Sequence, residues 1–158
     1  MRKEIDTLLA ALRDTLNGAP WYGKSVYAIL AECDPAKASI RPSAGSHTLL
    51  ELLYHMLSWA EFTRLQLENG PGFDPAEYEK TMDWPVPDKK EDTWEQGLRL
   101  FKDTHEKILE LLSVKEDVFL SEQARERKYD FRFLLNGLIQ HNIYHQGQIA
   151  FLHKLLAG

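Results

Sequence analysis

The sequence predicts an all-α protein built as a four-helix bundle, on three observations. All seven prolines fall between Pro20 and Pro87, so the chain beyond Pro87 holds no helix breaker of that kind. Apolar residues recur at three- and four-residue steps over long segments, and no segment of useful length alternates apolar and polar side chains as a half-buried strand would. Four Trp, six Tyr and seven Phe among 158 residues, with 44% hydrophobic and 27% charged side chains, supply the core of one domain spanning 1–158 and leave too little chain for two ordinary ones.

The elements follow in order. Ile5, Leu8, Leu9, Leu12 and Leu16 form a first apolar stripe that Asn17-Gly18 interrupts. Pro20 opens a second apolar segment, Trp21 to Cys33, and the two segments are either one kinked helix or two helices. Asp34-Pro35 and Arg41-Pro42 break the chain again. Ser46 is then the expected N-cap of a helix of about twenty-two residues carrying Leu49, Leu50, Leu52, Leu53, Met56, Leu57, Trp59 and Phe62 and ending near Asn69-Gly70-Pro71. Gly70, Pro71, Gly72, Pro75, Pro85 and Pro87 mark Asn69 to Lys90 as a long connection with a turn of helix near Pro75 to Lys80. Connections of this length are uncommon unless they cross a bundle or cover a site. Asp92 and Glu95 resemble a capping box ahead of the seam Trp94, Leu98, Phe101, His105, Ile108 and Leu112. After a polar stretch from Ser113 to Tyr129, Asp130 is the expected cap of a last helix running through Phe133, Leu134, Leu138, Ile149, Leu152 and Leu155.

Charge and cysteine usage narrow the function classes. Nineteen Lys and Arg against 24 Asp and Glu give a net charge of −5, and the basic residues are scattered, which argues against a nucleic-acid partner. The single cysteine, Cys33, rules out an intramolecular disulfide and a cysteine metal cluster, fits a reducing compartment, and reads as a small buried hydrophobe. The longest uninterrupted apolar run, Val26 to Ala31, falls far short of the roughly 18 residues a membrane span needs. A soluble cytoplasmic protein with no membrane partner is expected.

Chemistry concentrates on the last helix. Leu134, Leu138, His141, His145, Gln148 and Leu152 advance by threes and fours, so two histidines occupy positions that would otherwise be core. Side chains four apart on a helix are separated by about 40° and ~6 Å of rise, which lets two imidazoles converge on one ion. The alternative is a buried hydrogen-bonded pair, since each ring nitrogen needs a partner. His55 shares a face with Leu52, Trp59 and Phe62, and set opposite His141 and His145 it completes the ligand count of a catalytic zinc-type site. An all-imidazole set suits zinc, nickel, iron or copper better than magnesium or calcium. The zincin motif is absent, because Asn142 stands where that motif has its glutamate.

Around this set, His105 on the seam of the third long helix is a core histidine, a fourth ligand or a group that hydrogen-bonds to a ligand. Glu51, one turn before His55, is positioned to orient that imidazole or to stay solvated, and Gln148 to hold a metal-bound water or substrate. His47 and His153 read as surface residues, and Tyr54, Trp59, Trp84, Trp94 and Tyr144 as core or pocket aromatics. Gly137 and Gly147 bracket the histidine pair at about 1 kcal/mol each relative to alanine, compensated by close helix packing or by space for a ligand. No phosphate-binding loop, nucleophile elbow or kinase signature is present, and no general base is visible, so the catalytic residues stay unknown.

The stretch Tyr129 to Ile149, above all His141-Asn142-Ile143-Tyr144-His145-Gln146-Gly147-Gln148-Ile149, resembles the C-terminal signature of the DinB/YfiT-like superfamily of inferred metalloenzymes. Trp21 to Val26 and the helix from Ser46 to Trp59 with Leu52-Leu53-Tyr54-His55 are similar to its other landmarks, in the same order. The resemblance implies an up-down-down-up bundle whose crossover is Asn69 to Lys90. It also implies a divalent metal such as zinc or nickel on His55, His141 and His145, and often a homodimer. Characterised relatives include transferases and an isomerase that use low-molecular-weight thiols such as bacillithiol or mycothiol. The expected function is therefore a metal- and thiol-dependent S-transferase acting on a small molecule in detoxification or stress response. The alternatives are a metal-dependent hydrolase and a non-catalytic dimeric bundle.

Overall fold

A computed structural model of the chain describes residues 2–88 and 90–158. Six α-helices run in the order α1 (Lys3–Asn17), α2 (Val26–Glu32), α3 (Leu49–Glu68), α4 (Pro75–Met82), α5 (Trp94–Ser113) and α6 (Phe131–Ala157). Among the described residues there is no strand, and no helix is long and apolar enough to cross a membrane.

The two N-terminal segments are separate helices. Trp21, fully exposed, lies in a turn closed by the Gly23 amide on the Pro20 carbonyl, and helix resumes only at Val26. The start of α1 has no side-chain cap of its own; Glu4 and Ile5 both donate their backbone N–H groups, at 3.0 Å, to Asp117 Oδ1 from the 3-10 turn that precedes α6. Arg132 in α6 pairs with Glu4 as well, so α1 is anchored to the far end of the sequence.

Two caps fall one or two residues from their expected positions. Thr48, not Ser46, caps α3: its hydroxyl accepts from the Glu51 amide while the Glu51 carboxylate accepts from the Thr48 amide, a complete capping box. Ser46 instead closes a turn on Ser43. Thr93, not Asp92, caps α5 by accepting from the Gln96 amide, and Asp92 accepts from the Asp88 amide. Asn69 in the left-handed conformation ends α3 at twenty residues. The helical turn expected near Pro75 is the full helix α4, with proline in its first turn and Asp74 accepting from the Ala76 and Glu77 amides. Asp130 caps α6 as the sequence suggests.

α3 is buried nearly all the way round, with α5, α6 and α4 packed against it. Its fully buried Leu53, Met56 and Phe62 meet Phe101 and Ile108 of α5 and Ile149 of α6 in the apolar core. Cys33 is buried there too, and burial pushes its thiol up to about 11. The α3–α5 contact is tightest at Gly97, where a Cβ would stand 2.7 Å from Tyr54 Cε2 and 3.0 Å from Leu53 Cδ2. Tyr54 cannot swing away, because its hydroxyl is held on the Thr93 carbonyl. Gly97→Ala is therefore expected to destabilise: overpacking by about 1–3 kcal/mol outweighs the ~1 kcal/mol gain in helix propensity, a fall in Tm of about 2–4 °C. Calorimetry checks this, and a variant melting at or above the parent temperature would show that α3 and α5 separate easily.

Candidate metal centre

Position 55 lies on the face of α3 that meets α6, and positions 141 and 145, one turn apart on α6, face back towards it. Three imidazoles thereby converge in a largely buried space, with His55 4% and His145 5% exposed. His55 Nε2 stands 3.0 Å from His145 Nε2 and 3.0 Å from His141 Nε2. One nitrogen from each ring falls within 4.8 Å of the others, and the ring centroids are 4.3–4.9 Å apart.

The outer nitrogens set the tautomers. His55 Nδ1 donates to the backbone carbonyl of Asp83, with the Asp83 carboxylate 3.7 Å away. His145 Nδ1 donates to Gln148 Oε1 at 2.6 Å. A neutral imidazole carries one N–H, so both Nε2 atoms present lone pairs, and these face each other at 3.0 Å. That contact is repulsive unless a cation lies between them. Tetrahedral ligands 2.0–2.1 Å from a zinc-type ion stand about 3.3 Å apart, close to the spacing observed. The donor set therefore fits a divalent transition metal. A trio held by hydrogen bonds alone requires Gln148 to turn its amide over and donate to His145 Nδ1. His141 differs from its partners: its Nδ1 is buried with no hydrogen-bond partner.

All three rings are held neutral, the form that ligates. Burial pushes His141 down to about 3, with the charges on His145 and His55 adding to the effect. Burial likewise takes His145 to about 4 against the opposing bond to Gln148, and lowers His55 against its bond to Asp83.

A strap from the long connection covers the trio. Ser58 Oγ donates to the Met82 carbonyl, Trp59 Nε1 donates to Asp83 Oδ1 at 2.8 Å, and the Trp84 ring stacks between His55 and His47 with centroids 3.7 and 4.0 Å away. Sequence reasoning missed Asp83, and it named Trp84 only as one aromatic among several. The length of the connection and its Pro85 and Pro87 were the available signal.

The remaining candidates are placed elsewhere. Glu51 is taken up by Arg41, the Thr48 amide at 2.9 Å and His47 at 3.7 Å rather than by His55. His105 is fully buried on α5; its Nδ1 donates to the Phe101 carbonyl at 2.8 Å and its Nε2 accepts from Asn142 at 3.0 Å. Those bonds occupy both ring nitrogens in the core, away from the trio, and burial lowers His105 to about 4. Gln148 sits on His145. Tyr54 and Trp94 are core, while Tyr144 is 64% exposed.

Comparison with curated proteins finds no match. The family model described as the DinB superfamily matches residues 24–149, from just ahead of α2 into α6 and across all three histidines. The chain belongs to the DinB superfamily.

Proposed function

We propose that this chain is a metal-dependent enzyme that binds zinc or nickel through His55, His141 and His145 and acts as an S-transferase with a low-molecular-weight thiol. The observation that carries the reading is the pair of Nε2 lone pairs 3.0 Å apart, each fixed by an acceptor on its own ring's far side. In this reading residues 1–158 form one domain, with α1, α3, α5 and α6 as the four helices of an up-down-down-up bundle, working as a homodimer.

When bound, a divalent transition metal supplies a Lewis acid that lowers the pKa of a thiol taken as a further ligand. The chain's own groups do the positioning. Asp83 and Gln148 hold the His55 and His145 rings in the ligating tautomer, and the Trp84 strap limits water at His55. Among the described residues no carboxylate touches the trio apart from that of Asp83, which already accepts from the Trp59 N–H.

The test is elemental analysis of untagged protein, followed by thiol consumption with 1-chloro-2,4-dinitrobenzene and either bacillithiol or mycothiol. Near-stoichiometric zinc or nickel and chelator-sensitive conjugation are expected. Protein that stays empty after incubation with zinc, nickel, iron or manganese would overturn the metal reading. Loaded protein that hydrolyses esters but leaves thiols untouched would replace the transferase with a hydrolase.

A further inference from the structure

Beside the histidine trio lies a cavity of about 230 Å3 that the metal reading does not use. Trp59, Tyr129, Phe133, Gly137 and Leu138 line it, and His141 forms the wall it shares with the trio. Among the described residues no charged side chain contributes. Of the polar groups on the wall, Trp59 Nε1–H is engaged on Asp83 and the Thr63 hydroxyl on the Trp59 carbonyl at 2.9 Å, which leaves indole carbon and a methyl group there, while the Tyr129 hydroxyl and the His141 ring add two neutral polar groups. Phe133, 65% exposed and 5.1 Å from the Tyr129 ring, forms the outer lip.

Gly137 is the second observation. Glycine in mid-helix is poorly suited to its place, and close packing does not explain it, because nothing lies within 4 Å of where its Cβ would be. The missing side chain is the floor of the cavity. Any larger residue would fill the space that α6 leaves open one turn before His141.

We propose that this cavity seats the hydrocarbon part of the substrate, an uncharged aromatic ring or branched alkyl group, beside the candidate metal centre. The assignment rests on the site proposed above and adds its substrate class. Size supports a ring: a dry apolar cavity of about 150 Å3 admits benzene, so 230 Å3 admits a ring with a small substituent. The lining disfavours the carboxylate-bearing thiols themselves, because a carboxylate placed there would lose its hydration without gaining a cationic partner. The cavity therefore receives the electrophile, and the thiol approaches from another side of the trio.

Toluene and benzoate, titrated into the full chain and followed by NMR at Gly137 and the Trp59 indole, test this. Toluene is expected to bind saturably, and benzoate at least about tenfold more weakly. Gly137→Leu should abolish toluene binding while zinc content stays at the parent value. Metal-free parent protein should still bind toluene, so a failed metal site and a failed cavity give different results. If the Gly137→Leu spectrum shows misfolding, Phe133→Ala replaces it and should weaken toluene at least about fivefold. Absence of saturable shifts in folded protein, equal affinity for benzoate, or toluene binding unchanged in these variants would overturn the assignment.

Discussion

Replacing His145 by alanine is expected to empty the proposed metal site and to abolish the thermal response to metal. In the parent chain, an ion present at a hundred times its Kd adds about 2.7 kcal/mol of stability, or about 5–10 °C in Tm for a chain of this length. Two histidines alone cannot hold a zinc-type ion against water and buffer as three do, so His55→Ala, His141→Ala and His145→Ala should each reduce the shift to near zero. Gln148→Leu gives a graded contrast. It keeps the ligand and removes only the acceptor that fixes the His145 tautomer, so affinity should fall by about 10–100-fold, with full loading still reached at higher metal concentration. Differential scanning fluorimetry across a zinc and a nickel titration reads all four variants at once. A shift that survives every histidine substitution would place the ion elsewhere in the chain.

The fold was readable wherever one residue type dominates the physics. Proline ends helices, so confining it to residues 20–87 left α5 and α6 long, and Asp130 was the one competent cap immediately before the last apolar stripe. The caps of α3 and α5 slipped because Ser46 and Thr48, and likewise Asp92 and Thr93, are nearly equivalent as N-caps, and only tertiary placement chooses between them. His141, His145 and His55 were legible from helical periodicity, which says which face a residue occupies. Their supports were legible only in part. Gln148 follows His145 by one turn, but the bond on His55 comes from the backbone carbonyl of Asp83, a group every residue possesses and no pattern marks. The same periodicity turned His105 inward without showing that Asn142 would claim it.

The second large effect is acid instability of the metal-free protein. His105, His141 and His145 sit at about 4, 3 and 4 in the fold, and His55 is lowered too, against an ordinary value near 6.5 in the unfolded chain. Each is depressed by burial, so its neutral form favours the fold. Above about pH 6.5 both states are unprotonated and nothing is lost; as pH falls towards 4 the unfolded chain takes up protons that the fold refuses, and stability drops. His105, His141 and His145 are lowered furthest, and each stays neutral in the fold through this range. Three protons give a slope of about 4 kcal/mol per pH unit, against a total of about 5–15 kcal/mol for a domain of ordinary stability. The loss reaches about 6 kcal/mol by pH 5, enough to unfold a domain at the low end of that range, whereas the lowered carboxylates of Glu4, Glu32 and Glu51 lose their contribution only at lower pH. Urea midpoints measured from pH 7.5 to 4.5 in chelator should fall steeply through this window, and His105→Leu should flatten the slope by about one third, since one of three titrating groups is gone. A midpoint constant from pH 7 to 5 would mean that the buried rings accept protons as readily in the fold as in water, which the closed packing of His105 between Phe101 and Asn142 does not allow.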